Sequence, residues 1–245
     1  MDAEGSARMI EWFLDPANWE GTRGIPTLVL QHLQYTAAAL AVAGLVGVPI
    51  GLYVGHTGRG TFLIAGLANA LRALPTLGLV ILLVMVIAPV LTSDLAFVVP
   101  SLIVLILLAV PPIMTSTYAG VQAVDAAVVD AATGMGYRPL RVLLSVQLPC
   151  ALPLILSGFR SATLQVVSTA TIAAYVSLGG LGRLIIDGRA QNDYERMVAG
   201  AVLVALLALL TDLVIGLLSR ALVSPGLARR DTRLAPVRAS GVAPG

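Results

Sequence analysis

The chain has 245 residues, of which 58% are hydrophobic and only 11% charged, with a formal net charge of +2 at pH 7. A soluble domain carries about a quarter charged residues, so this composition excludes an ordinary water-soluble fold and indicates a protein embedded in lipid. The chain contains no lysine, which excludes a phosphate-binding loop of the usual kind, because that loop holds nucleotide phosphates with a lysine. If ATP drives this protein, another chain binds it.

The residues that bind metals and form disulfides are scarce. Cys150 is the only cysteine, and the two histidines, His32 and His56, are far apart in sequence. We therefore expect no disulfide, metal site or cofactor, and the small net charge suggests no nucleic-acid partner.

Residues 1–27 are predicted to form an amino-terminal segment with a helix lying at the membrane surface. Trp12 and Phe13 belong to a short apolar group and Trp19 follows nearby. Tryptophan favours the headgroup level of a bilayer, which supports an interfacial helix. A frayed terminus is the alternative.

Five stretches are apolar and long enough to cross a bilayer, which takes about 20 residues in a helix. They predict an all-α membrane protein with a transmembrane domain over 28–222, followed by a disordered tail over 223–245, rich in Arg, Pro, Ala and Gly. The five predicted spans are 28–54, 62–91, 95–118, 151–178 and 197–222.

Three charged residues lie well inside these spans, where charge is costly and tends to face a cavity or a partner, and Arg220 lies near the end of the fifth span. Arg72 and Arg160 are candidates for a translocation path, although snorkelling or a structural pair would also explain them. Asp212 is predicted to be structural, as the partner of one of these arginines.

Other residues in the spans are also candidates for the path. Pro75 is expected to break the second span, as part of a gate or as a packing kink. Gln165, Ser168 and Thr169 give the fourth span a polar character, which fits a path equally well as hydrogen bonds between helices.

The link between the third and fourth spans, residues 121–149, is too charged and broken to cross the membrane. Asp125 is predicted to cap a short helix, which ends at Gly134 and Gly136 because glycine adopts left-handed geometry at little cost. Pro139 suits the first turn of a second helix, and Pro149 is expected to break the chain before the fourth span.

This link resembles the EAA signature of ABC importer permeases, which reads E-A-A, three residues, G, nine residues, I-x-L-P. The chain has Asp130, Ala131 and Ala132, then three residues, Gly136, nine residues, and a final group in which Val146 replaces the isoleucine. That group closes on Leu148 and Pro149, and Asp130 replaces the usual glutamate.

The resemblance implies that Asp130, Ala131, Ala132, Gly136, Leu148 and Pro149 belong to a cytoplasmic coupling helix that docks on an ATPase subunit. It also implies a multi-pass protein of the bacterial inner membrane, with its amino terminus outside and its carboxyl terminus in the cytoplasm. The implied partners are a second permease subunit (a copy or a paralogue), two ATPase subunits, an extracytoplasmic binding protein and membrane lipid.

Further segments, at 112–121, 171–188 and 205–212, are similar to permeases that import glycine betaine, choline, carnitine or proline betaine. Permeases for methionine, other amino acids or sulfonates share the implied fold and remain alternatives. An ion-coupled secondary transporter is a rival from another class. It should show internal repeats and a coupling acid within the membrane, and Asp212 is the only candidate acid.

Overall fold

The computed structural model describes residues 3–91, 93–176 and 178–222, and this part of the chain consists of helices and connecting turns without strands. The predicted all-α fold is confirmed. The helices are α1 Ala3–Leu14, α2 Ile25–Thr57, α3 Thr61–Ala73, α4 Thr76–Ile87, α5 Leu95–Gln122, α6 Ala126–Gly134, α7 Pro139–Val142, α8 Leu148–Ala173, α9 Gly182–Gln191 and α10 Tyr194–Leu222. The predicted tail, 223–245, lies outside the described residues.

Four long apolar helical stretches in the described part can cross a membrane: α2, α5, the stretch Pro139–Val176 that contains α8, and α10. The predicted second span is a bent pair, α3 and α4, whose axes differ by 89°. The break falls where it was predicted, because Pro75 has no N–H to donate and Leu74 before it is extended, at φ −73° and ψ 132°. Counted as one span, the pair gives the five predicted spans.

The centre of the molecule is α5, which packs between α2 and α8. Leu105, Ile113 and Met114 on α5 are fully buried. Small residues let the helix backbones approach, as is usual in membranes. A Cβ built on Gly158 of α8 would lie only 2.6 Å from the Ser116 Cβ of α5.

The last helix, α10, leaves most of its apolar side chains exposed. Leu209, Val214 and Leu210 are each more than half exposed. Such a surface would promote aggregation in water, whereas it suits the hydrocarbon core of a bilayer.

The chain does not break at Pro149, so that prediction is wrong. α7 continues through a π-helical turn, Leu143–Gln147, directly into α8, and Pro149 occupies the first turn of α8. A π turn spaces its hydrogen bonds one residue wider than an α turn, and proline needs no donor in a first turn. The second helix of the link and the fourth span are therefore one continuous element.

The link between the fourth and fifth spans is largely helical. It contains α9, which packs against α8 and α10. Gly200 on α10 allows this contact, since a Cβ there would lie 2.8 Å from the Leu184 Cβ. Asn192 reverses the chain between α9 and α10 in left-handed geometry.

Candidate coupling segment and transport path

The predicted coupling segment, residues 121–149, contains the short helix α6, whose two ends are both capped. The Asp125 carboxylate accepts a hydrogen bond from the Ala127 N–H at 3.0 Å and so caps α6. At the other end of α6, Gly136 adopts φ +83°. The Gly136 N–H donates to the Thr133 carbonyl at 2.9 Å, and the Tyr137 N–H donates to the Ala132 carbonyl at 3.2 Å. These two bonds form a Schellman motif, which requires a left-handed residue at the position of Gly136.

The outer surface of this segment is small, apolar and concave. Ala131 and Asp130 are exposed, whereas Ala132 is buried against the rest of the link. Met135 and Leu140 project with 70% and 66% of their surface exposed. A cavity of about 450 Å³ is lined by Ala127, Val128, Ala131, Ala132, Met135, Tyr137, Ser145 and Val146. Such a surface is typical of a site where another protein docks.

A hydrogen bond that the sequence did not reveal ties this segment to the first span. His56 at the end of α2 and Gln147 in the π turn are 91 residues apart, yet His56 Nδ1 lies 2.6 Å from Gln147 Oε1. Gln147 is buried and occupies the variable position of the predicted signature, immediately before Leu148 and Pro149. Nothing in a single sequence pairs these two residues.

One exposed face of α8 carries several hydroxyl groups, interspersed with the exposed apolar side chains of Leu154, Leu164 and Ile172. Ser157, Ser161 and Ser168 are exposed at spacings of four and seven residues, which places them on one side of a helix. Gln165 is half-buried at the edge of this face, and its carbonyl accepts a hydrogen bond from the Ser168 hydroxyl at 2.9 Å. We call this side of α8 the polar face. Thr169 is half-buried further toward the core.

Arg160, beside the polar face, forms a bidentate pair with Asp212 of α10. Its Nε donates to one carboxylate oxygen and its Nη2 to the other. The pair borders a cavity of about 540 Å³ between α8 and α10, to which Arg220 also contributes. The sequence predicted that Asp212 would meet Arg160 or Arg72, and the structure brings it to Arg160.

The other two predicted path residues lie in the bent pair. Arg72 is in the last turn of α3, two residues before the break, and its side chain lies outside the described residues. Pro75 precedes α4 directly.

Charged residues also gather at the opposite end of the molecule, where sequence reasoning assigned no site. Asp187 of α9 pairs with Arg183 at 2.7 Å and with Arg196 of α10 at 3.7 Å. The signal was available in the sequence, since a carboxylate four residues after an arginine lies on the same side of a helix. Within the described residues, no three His, Cys, Asp or Glu side chains lie close enough together to hold a metal ion.

Residues 47–224, most of the chain, match the family described as the binding-protein-dependent transport system inner membrane component. The chain belongs to this family. As an inner membrane component it is a multi-pass transport subunit and not an enzyme, and it works with a separate binding protein and ATPase.

Sequence relatives match a similar share of the chain. The chain is 31% identical to the glycine betaine/carnitine/choline permease OpuCD of Bacillus subtilis over 198 residues, which is 78% of this chain and 81% of OpuCD. It is 30% identical to the osmoprotectant import permease OsmW of Salmonella typhimurium over 204 residues, covering 83% of this chain and 91% of OsmW.

Solved structures confirm the fold. The inward-facing methionine ABC transporter MetNI superposes with a TM-score of 0.69 at 20% identity, over 82% of this chain and 96% of that chain. A solved amino acid ABC transporter gives a TM-score of 0.60 at 17% identity, over 80% of this chain and 91% of that chain.

Proposed function

We propose that this permease component belongs to an ATP-driven importer of osmoprotectants, small quaternary ammonium solutes such as glycine betaine, carnitine and choline. The observation that carries the substrate class is the similarity to OpuCD and OsmW, at about 30% identity along the transmembrane domain. The likeness to the methionine and amino acid transporters is below 25% identity and supports the fold alone.

The composition fits a division of labour in substrate capture. Quaternary ammonium groups are usually gripped by aromatic cages through cation–π contacts. Only 5% of the residues here are aromatic. Selective capture would therefore belong to the binding protein, and the permease would supply a path of low affinity.

The polar face of α8 is the proposed path, and a second permease subunit would close it. Hydroxyls and charge in a spanning helix are costly against lipid, so they tend to face a protein or a water-filled cavity. Ser168, Gln165 and Arg160 occupy or border this exposed face, with Thr169 further toward the core. Arg72 and Pro75, at the bend between α3 and α4, would form part of the gate.

The coupling segment is proposed to lie in the cytoplasm and to receive the ATPase on its apolar cavity. Asp130, Ala131, Ala132 and Gly136 would contact the ATPase, and Leu148 and Pro149 would pass its motion into α8. The support is the continuity of α7, the π turn and α8, because Ser145 and Val146 of the π turn line the apolar cavity and belong to the same continuous element as the polar face. This orientation leaves the amino terminus outside.

Uptake by proteoliposomes tests the proposed function. The permease would be reconstituted with its ATPase, with ATP inside, and supplied with the binding protein and radiolabelled glycine betaine, choline or methionine outside. We expect ATP-dependent accumulation of a quaternary ammonium solute and none of methionine. Accumulation driven by an ion gradient without ATP would contradict the proposal, and methionine uptake alone would assign the other substrate class.

A further inference from the structure

The outer end of the molecule contains a small cavity rich in arginine. It has a volume of about 250 Å³, and Arg23, Arg183 and Arg196 are among its lining residues. Arg23 precedes α2, Arg183 begins α9 and Arg196 lies in the first turn of α10, so arginines from three separate parts of the chain line one cavity. We call this cavity the arginine pocket.

The charges of the arginine pocket are only partly balanced. Asp187 is the one carboxylate among the lining residues, and it is shared between Arg183 and Arg196. The side chains of Arg196 and Asp187 are only 18% and 14% exposed, so this pair is held in place before any ligand arrives. Gln31 lines the same cavity with its Oε1 occupied by the Gly180 N–H at 3.0 Å, which leaves its amide nitrogen as a donor.

The pocket is therefore preorganised for one anionic group. Guanidinium groups recognise carboxylates through paired, charge-assisted hydrogen bonds. Three positive charges face a single negative one among the lining side chains, so a carboxylate would offset half of the excess positive charge while Asp187 keeps its own contacts.

The position of the pocket indicates where that carboxylate comes from. The pocket lies at the start of α2, and the coupling segment contacts the other end of the same helix through His56. With 33 residues, α2 is about 50 Å long at ~1.5 Å per residue, so the two sites lie near opposite ends of a membrane-spanning helix. In the proposed orientation the pocket therefore faces the extracytoplasmic side, where the family requires a soluble binding protein.

We propose that the arginine pocket is a docking site for an aspartate or glutamate side chain of the extracytoplasmic binding protein. The inference rests on the proposed function for the side of the membrane. The position of the pocket favours a protein ligand over a lipid headgroup. Its walls come from α2, α9 and α10 near their amino-terminal ends and from the residues before these helices, and not from a long apolar helix face that would lie against lipid.

The test measures binding of the purified cognate binding protein to the permease–ATPase complex in nanodiscs. Arg23→Gln is the main variant, because Arg23 is exposed and its loss leaves the pair of Asp187 and Arg196 intact. Arg183→Gln is the second variant. Arg189→Gln is the matched control, since Arg189 is exposed on α9 and does not line the pocket. We expect Kd to rise about tenfold in each pocket variant, the size expected for one charge-assisted contact, and to stay unchanged in the control.

Replacing acidic residues of the binding protein one at a time by their amides identifies the partner. One such variant should weaken binding to the wild-type permease and have little further effect on Arg23→Gln. The inference is overturned if both pocket variants bind as Arg189→Gln does, or if their defect appears with phosphatidylglycerol present and disappears in phosphatidylcholine alone. Either of these two outcomes leaves the wild-type complex able to bind the binding protein, so the proposed function would stand. If the wild-type complex did not bind the binding protein at all, the proposed function itself would be contradicted.

Discussion

Asp212 and Arg160 are paired across neighbouring spans, and each depends on the other. Asp212→Asn removes the acceptor of both guanidinium hydrogen bonds and leaves Arg160 with an unmatched charge between α8 and α10. Because an unpaired charge within a membrane span is unfavourable, we expect a lower yield of monodisperse protein after detergent extraction, measured by size-exclusion chromatography.

The double variant separates a structural role from a transport role. Arg160→Gln in the Asp212→Asn background removes the unmatched charge, so part of the yield should return. Recovered yield without recovered transport would mean that Arg160 also serves the path. A double variant no better than Asp212→Asn alone would contradict the structural pairing.

Gly158 lies where α8 and α5 approach each other closely, so it should not tolerate even one added carbon. In Gly158→Ala the new Cβ would meet the Ser116 Cβ at 2.6 Å and the Pro112 carbonyl at 2.9 Å. Overpacking of this kind costs about 1–3 kcal/mol, so we expect a lower midpoint of thermal unfolding in detergent. Gly66→Ala is the matched control, because nothing lies within 4 Å of the position its Cβ would take. Equal midpoints for the two variants would contradict the packing.

At the scale of single residues, the sequence predicts contacts for residues whose chemistry does not suit their surroundings. A carboxylate in an apolar helix needs a partner, which was enough to predict the pairing of Asp212 but not to choose between Arg160 and Arg72. The contact between His56 and Gln147 was out of reach, because both are ordinary near a helix end and their proximity depends on how α2 meets the π turn.

Within the coupling segment, bulk and backbone strain can be tested separately. Gly134 lies within α6 and Gly136 adopts φ +83°, and a Cβ at either position would have no atom within 4 Å. Gly134→Trp therefore adds bulk to the proposed docking surface without straining the turn. We expect it to abolish co-purification of the ATPase and the stimulation of ATP hydrolysis by the substrate-loaded binding protein, while membrane insertion stays normal.

The matched variant at the turn is Gly136→Ala, which adds little bulk but forces a side chain into left-handed geometry. It should weaken ATPase binding less than Gly134→Trp does. If Gly134→Trp co-purifies with the ATPase as well as the wild type does, the segment is not the docking surface.

At the scale of elements, helix lengths follow directly from hydropathy, and their ends and connections do not. The capped helix after Asp125 and the break at Pro75 were predictable, because local chemistry decides both. The continuity of the helix at Pro149 was mispredicted. Local rules treat this proline as a helix break, whereas the π turn before it accommodates the ring and the helix continues into α8. Helix α9 was not predicted, because its sequence is too polar to indicate a packed helix. Its packing against α10 at Gly200 depends on the tertiary structure.

At the scale of the whole molecule, its two ends have different chemistry. One end presents an apolar cavity beside α6, suited to a protein that docks by shape. The other presents the arginine pocket, suited to a charged partner. Helices α2, α5, α8 and α10 run between the two ends, so we propose that they transmit a movement of the coupling segment to the end that carries the arginine pocket.

The orientation of these ends in the membrane is a prediction that labelling can test. In a Cys150→Ser background, Gln191→Cys would place a thiol on the exposed last turn of α9, and Arg138→Cys would place one on the exposed turn after α6. We expect the first to react with an impermeant maleimide on intact cells and the second to react only after the membrane is opened.

A third variant calibrates the assay. Leu213→Cys lies on the exposed apolar face of α10 within a span, where lipid suppresses the thiolate that reacts, so it should remain unlabelled in both conditions. Labelling of Arg138→Cys on intact cells, with Gln191→Cys protected, would invert the molecule. That result would place the coupling segment outside and the arginine pocket in the cytoplasm, where it could not meet the binding protein. Because the two cysteines lie at opposite ends of the molecule, a correct orientation requires both results together.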